Sequence, residues 1–224
     1  MLIAIEGIDG AGKGTLCREL LGLARGAGID AATLSFPRYG ETRFAELIGQ
    51  YLNGQMGSLD EVPIKFAALL YGGDRFESRQ HLLDLSPADG LLILDRYVAS
   101  NIAYNAAKLP PGQRPELIAW IERLEFEMFG LPRPDLTLLL ATQPQLADQL
   151  VARKGERGYT EATRDLHEAD RDYLSTVAAV YAELAAADPD HWLIVDPLGE
   201  SGALRPPEAI AGQVWRDLRP RLDP

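Results

Sequence analysis

The segment Gly7 to Thr15, GIDGAGKGT, gathers glycines around a single lysine. Gly7, Gly10, Gly12 and Gly14 let backbone N–H groups approach anionic oxygens without an intervening Cβ, and Gly10-Ala11-Gly12 leads into Lys13, Gly14 and Thr15. Lys13 can reach the outer phosphates of a polyphosphate chain as a point charge. The loop lies between a short apolar burst and a helical stretch, the context in which such a loop cradles phosphate at a helix N-terminus. A plain strand-to-helix turn would need neither the lysine nor so many glycines. The residue after the lysine, where Ser or Thr would hold Mg²⁺, is Gly14, with Thr15 one place later. Metal ligation therefore leans on carboxylates and phosphates, and Asp9 inside the loop is the nearest candidate.

A second group with chemical potential is LLILDRYVASNIAY, Leu91 to Tyr104. An apolar strand ends in Asp95 and Arg96, so a carboxylate and a guanidinium emerge at the carboxyl edge of a sheet, where open α/β sheets bind ligands. Asp95 could order Mg²⁺ or its water, and Arg96 could grip phosphate through paired hydrogen bonds. An isolated Asp-Arg pair would read as a surface ion pair; beside a phosphate loop the functional reading is preferred.

These groups need a scaffold that brings them to one edge. Apolar bursts followed by turns and helical periodicity predict an α/β fold with a parallel sheet covered by helices. The predicted strands are Leu2 to Glu6, Ala32 to Phe36, Leu91 to Asp95, Leu136 to Ala141 and Trp192 to Asp196. Leu16, Leu20, Leu23 and Ala27 share one predicted helical face, and Leu166, Tyr173, Val177, Val180 and Leu184 share another. Pro110, Pro111 and Gly112 break the pattern after Leu109, Pro132 and Pro134 close the next helical stretch, and Gly199 to Pro207 reads as a loop before a final helix. The 224 residues accommodate one domain, 1–224, with no internal repeat.

Composition removes several function classes. With 22 Lys+Arg against 33 Asp+Glu, the net charge of −11 disfavours nucleic acid and anionic membrane as partners. The apolar runs of four or five residues are far short of the ~20 that span a bilayer. One cysteine, Cys17, suits a reducing compartment, and the opening MLIAIEG has no basic flank or cleavage region, so a cytoplasmic location is expected.

GIDGAGKGT, FPRY at Phe36 to Tyr39 and DRYVASNIAY at Asp95 to Tyr104 together resemble the thymidylate kinase family, of bacterial type. The form GKGT occurs in the wider group of nucleoside monophosphate kinases. The resemblance implies a three-layer P-loop NTPase fold with a five-stranded parallel sheet and a short mobile lid, at 153–165. It implies ATP and dTMP as substrates, Mg²⁺ as cofactor and a homodimer. Lys13 and the loop amides match the ATP phosphate site, and Asp9 a carboxylate near Mg²⁺ or the sugar hydroxyl. Arg96 matches the acceptor-phosphate arginine, Phe36 and Tyr39 the nucleoside wall, Tyr71 a stacking aromatic and Arg75 a base-contacting arginine. Asn101, Tyr104 and Asn105 fall on the pyrimidine-pocket segment.

Spacing adds independent support. Tyr71 and Arg75 are i,i+4, and Asn101, Tyr104 and Asn105 are i,i+3,i+4, so each set shares a face on a helix. Taken singly, Tyr71 could be core, Tyr104 a boundary residue, Asn101 a helix-surface amide and Arg75 the partner of Asp74 or another carboxylate. Arg153, Lys154 and Arg157 lie among glycines and suit a lid bringing positive charge over phosphates. By resemblance Arg153 or Arg157 supplies the transition-state contact, Asp165 and His167 fall on the acceptor side, with His167 standing where relatives carry an aromatic, and Glu168 is a Mg²⁺ contact. A monophosphate with its second pKa near ~6 is already ionised at neutral pH, so no general base is required. Three alternatives stay open: a deoxynucleoside kinase, a nucleotide-dependent switch, and a CMP or UMP kinase.

Overall fold

The computed structural model describes residues 1–58, 61–87, 89–152, 171–199 and 201–222. Its sheet contains β1 (Leu2–Glu6), β2 (Ala31–Ser35), β3 (Leu91–Asp95), β4 (Leu136–Leu140) and β5 (Trp192–Val195). They are all parallel and lie in the order β2-β3-β1-β4-β5. β1 is flanked on both edges and buried at every residue, which its unbroken apolar run LIAI anticipates. The predicted strands are all present with small shifts at their ends. β2 begins and ends one residue earlier than expected, and β4 and β5 each stop one residue sooner.

The helices among the described residues are α1 (Lys13–Gly26), α2 (Arg43–Leu52), α3 (Ile64–Glu77), α4 (Arg79–Leu85), α5 (Val98–Ala106), α6 (Arg114–Glu122), α7 (Pro144–Ala152), α8 (Arg171–Ala187) and α9 (Pro207–Leu222). A 3₁₀ turn at Pro111–Gln113 fills the predicted break before α6, and a π turn, Arg123–Met128, continues α6 towards Pro132. The chain leaves β1 towards β2 on one side and leaves β3 towards β4 on the other. Right-handed crossovers then place α1 and α5 on opposite faces, with a crevice between them at the carboxyl ends of β1 and β3.

The face of α1 needs a correction. Its buried residues include Leu16, Cys17, Leu20 and Ala24, whereas Leu23 is 36% exposed and Ala27 lies past the helix end. α1 packs against both the sheet and α9, so its covered stripe is centred between two neighbours, and Leu23 falls off it. On α8, Val177 and Val180 are buried with Leu174 and Tyr181, while Tyr173 and Leu184 are half-buried; Leu166 lies outside the described residues. The lid segment 153–165 also lies outside them. No helix among the described residues is long and apolar enough to cross a membrane.

Candidate active site

A cavity of about 800 Å³ opens along the carboxyl edge of the sheet. The phosphate loop lies at its middle, bounded by β1 and by α1, whose N-cap is Gly12 in the left-handed region with no side chain capping the first turn. That leaves N–H groups at the helix start available to an anion. Gly7 lies behind the cavity wall: a Cβ there would come within 2.7 Å of the Leu140 carbonyl oxygen, and its φ of 142° suits only glycine. Gly14 lies where a Cβ would stand 3.0 Å from Asp95 Oδ2, so the missing side chain makes room for a carboxylate beside the lysine. Gly10, Ala11, Gly12, Lys13, Gly14, Thr15 and Asp95 all line the cavity.

Lys13 folds back over the loop, its Nζ donating to the carbonyls of Gly7 at 3.0 Å and Ile8 at 2.8 Å. Burial and the nearby Arg96 charge lower its pKa from the ordinary 10.5 to about 8, partly offset by Asp9, Asp95 and Glu6. The charge is held close to loss, ready to be stabilised by incoming phosphate.

Arg96 stands at φ 66°, a left-handed turn that an arginine rarely adopts. Such strain persists where the surroundings over-determine it. Its Nη2 donates to Asp9 Oδ1 at 2.5 Å, and its Nη1 donates to Ser100 Oγ at 3.1 Å and the Gly7 carbonyl at 3.3 Å. The Asp9 Oδ2 accepts the Tyr104 hydroxyl at 2.5 Å, and the Tyr104 ring lies under the Arg96 guanidinium at 5.3 Å. Tyr104 is thus part of the site and not a mere boundary residue. Burial opposes the Arg96 charge, but Asp9, Tyr104, Tyr181 and Asp95 together outweigh it and its pKa rises.

Behind this turn sits Glu6, fully buried at the end of β1. It accepts hydrogen bonds from the backbone N–H groups of Tyr97 and Ser100 at 2.8 and 3.2 Å, and from the Tyr181 hydroxyl at 2.9 Å. Its Oε2 also accepts from Ser100 Oγ at 2.5 Å. Burial raises its pKa despite these donors. Glu6 therefore caps α5 from across the sheet and fixes Ser100, which in turn holds Arg96.

The far end of the cavity is lined by Phe36, Tyr39, Tyr71, Arg75, Asn101 and Asn105. Arg75 is 2% exposed and makes a bidentate pair with Glu125 on the π turn, at 2.5 and 2.7 Å. Burial works against its charge, and Glu125, with Asp74, restores it, so its pKa rises. Asp74 itself serves a different purpose, accepting the Thr42 hydroxyl at 2.5 Å and the Arg38 N–H at 3.1 Å, which ties the Phe36 to Thr42 loop to α3. Asn101 is 2% exposed, which rules out the helix-surface reading. Tyr71 also packs on a small second core around Ile48 and Tyr51, so stacking wall and packing residue coincide.

The structure therefore brings every described sequence candidate to one cavity, except that Gly7 backs its wall. Arg153, Arg157, Asp165, His167 and Glu168 lie outside the described residues. Sequence reasoning missed Glu6, Ser100 and Glu125. It also missed the opposite end of the cavity, formed by Pro197, Leu204 and Arg205 before α9. Their only advance signal was the Gly/Pro-bearing loop, which marked a turn without indicating a ligand. His81 is exposed and His191 pairs with Asp188 at 2.8 Å, both outside the cavity.

The family model described as thymidylate kinase matches residues 5–202. A thymidylate kinase of Mycobacterium tuberculosis (strain ATCC 25618 / H37Rv) is 41% identical over 213 residues, covering 93% of this chain and 99% of the relative. A probable thymidylate kinase of Methanoculleus marisnigri is 31% identical over 220 residues, covering 98% of this chain and 94% of the relative. Among solved structures, the thymidylate kinase of Candida albicans superposes with a TM-score of 0.74 at 26% identity, covering 98% of this chain and 91% of that one.

Proposed function

This chain belongs to the thymidylate kinase family, and on that premise we propose how its cavity transfers the γ-phosphoryl group of ATP to dTMP, giving dTDP and ADP on the way to dTTP. The observation that carries the reading is one cavity with a phosphate loop at its middle and two differently lined ends. ATP phosphates lie along the loop amides and Lys13, with the donor base against Pro197, Leu204 and Arg205. The acceptor base lies against Phe36, Tyr71, Arg75 and Asn101, and its phosphate meets Arg96. The chain acts as one unit, 1–224, in the cytoplasm. Arg153 and Arg157, outside the described residues, add lid charge.

The donor set fits Mg²⁺. Among the described residues no cluster of three metal-binding side chains occurs, and Mg²⁺ needs none, because it takes one or two carboxylates along with phosphate oxygens and water. Asp95, beside Lys13 and Thr15 on the cavity wall, would hold it, whereas both Asp9 oxygens are engaged by Arg96 and Tyr104. When bound, the ion neutralises charge on the transferring group. Lys13 and Arg96 hold the equatorial and acceptor oxygens in line. The acceptor oxygen is already ionised near neutral pH, so no side chain has to remove a proton.

Calorimetric titration of dTMP into enzyme saturated with ADP tests the two-ended reading. One equivalent of dTMP is expected to bind without displacing ADP; competition between them would refute it.

The Lys13 charge has a pH signature. Metal-free ADP is expected to bind more weakly as pH rises through about 8, where Lys13 loses its proton, by at most ~10-fold per pH unit. Lys13→Arg, always charged, should abolish the inflection. Folding stability runs the other way: between about 8 and 10.5 the unfolded chain binds the extra proton, so stability rises with pH in that window.

The homodimer reading finds support on α3. Leu69 and Phe76 (50% exposed) lie three and ten residues after Phe66 (45% exposed) along one face, and the Phe76 ring packs on Phe129, just past the π turn, at 4.8 Å. The opposite face carries Tyr71 and Arg75 into the cavity. A two-fold pairing of α3 with its counterpart would cover the apolar patch and brace the acceptor wall. Phe66→Asp is expected to raise the dimer dissociation constant about 100-fold, read by sedimentation.

A further inference from the structure

The acceptor wall contains a chain of groups whose donor and acceptor directions are fixed in sequence, starting from residues behind it that do not line the cavity. The Nδ2 of Asn101 donates to Glu125 Oε1 at 2.7 Å and to the Ala68 carbonyl at 2.9 Å. Both partners can only accept, so this end of the amide must be its NH₂ and its Oδ1 must face the other way. Oδ1 then accepts from Asn105 Nδ2 at 2.8 Å, and that same nitrogen donates to the Asn101 backbone carbonyl at 2.9 Å. A carbonyl partner again fixes the amide, leaving Asn105 Oδ1 with no hydrogen bond among the described residues. Meanwhile Glu125 takes both Nε and Nη2 of Arg75, and Arg75 Nη1 carries no hydrogen bond among the described residues. Arg75, Asn101 and Asn105 all face the cavity, whereas Glu125 is fully buried behind them.

We propose that Glu125 is a specificity-determining positioning residue, which locks this wall to show the acceptor base a guanidinium donor beside amide oxygens. The inference rests on the acceptor-site reading above. A pyrimidine with a 4-keto group and an N3–H presents acceptor then donor, the complement of that wall. A 4-amino pyrimidine presents a donor to Arg75 and an unprotonated ring nitrogen to an amide oxygen, two mismatches in one pose. Glu125 is an effective lock because a carboxylate has no donor to offer. A glutamine there would have to turn its NH₂ against either Arg75 or Asn101, which displaces one of them. Its seat on a π turn, which adds a residue to the helical turn, is what carries its side chain back to both α3 and α5.

The test compares kcat/KM for dTMP and dCMP, with the KM for ATP as reference, in the unaltered enzyme, Glu125→Gln and Glu125→Asp. Glu125→Gln is expected to lower the dTMP:dCMP preference by about 10-fold or more, the worth of one hydrogen bond to a charged group, while the KM for ATP stays within about 2-fold. Glu125→Asp, again acceptor-only, should recover most of that preference. A Glu125→Gln enzyme that is slow but keeps the preference within about 3-fold would reduce Glu125 to packing and overturn the inference. An unaltered enzyme that leaves dTMP untouched would instead refute the acceptor reading beneath it. Should Glu125→Gln fail to fold, side-chain amide exchange by ¹⁵N NMR on the unaltered protein decides. Slow exchange of the Asn101 and Asn105 NH₂ groups, unchanged by dTMP, is expected. Fast exchange that slows on adding dTMP would mean that those NH₂ groups point at the ligand, and would overturn it.

Discussion

Lys13→Ala is expected to lower kcat by about 10³ while leaving the fold intact. Removing one preorganised charge from a phosphoryl-transfer site costs about 10² to 10³ or more in rate, because the charge acts in a water-poor site on oxygens where negative charge gathers. The structure separates this catalytic loss from stability. Lys13 is 7% exposed and among the described residues its Nζ donates to loop carbonyls alone, so burying it opposes folding at neutral pH, as its lowered pKa indicates. Thermal unfolding of the variant should therefore show an unchanged or raised Tm. Full transfer activity in Lys13→Ala would remove the lysine from the mechanism, and a large fall in Tm would mean that its contacts hold the loop together.

Arg96→Met should have a comparable effect, about 10³ on kcat/KM for dTMP, with a smaller effect on ADP affinity. Here the cause is both lost charge and lost geometry. Arg96 is pinned by Asp9, Ser100 and the Gly7 carbonyl, which aims its planar fork along the cavity, and its left-handed backbone is held by the same contacts. Arg96→Lys keeps the charge but lacks the fork, so it should recover no more than about 10-fold of the loss. Equal losses in ADP and dTMP affinity would move Arg96 from the acceptor side to the donor side. Removing Arg96 also takes from Asp9 the cation it pairs with, so Arg96→Met combined with Asp9→Asn should be less than additive.

The contrast between these two residues and Glu125 shows what could be read from the chain. Lys13, Asp95 and Arg96 lie on local geometry: a glycine-rich turn and a strand end have short-range signatures, and parallel strands deliver their carboxyl ends to one edge. The five strands were readable for the same reason, because a doubly covered parallel strand is a short apolar run. Glu125, Glu6 and Ser100 act through contacts 24 to 175 positions apart in the chain, which only the assembled fold creates. Nothing in RLEFEM distinguishes Glu125 from its exposed neighbour Glu127 until α6 widens into a π turn. The stripe on α1 was misplaced towards Leu23 because a helix packed between sheet and α9 buries a different arc from one lying on a single surface. The cavity end proposed for the donor base was unreadable because Pro197, Leu204 and Arg205 meet on its wall only when α9 packs on α1.

Product analysis with paired acceptors tests the central assignment most directly. Enzyme, ATP and Mg²⁺ are incubated with dTMP or with thymidine, and the nucleotides are resolved chromatographically. The arrangement of Lys13, Asp95 and Arg96 predicts dTDP and ADP in equal amounts from dTMP and no phosphorylation of thymidine, whose hydroxyl would need a base that the engaged Asp9 does not supply. Product from thymidine with none from dTMP would contradict it.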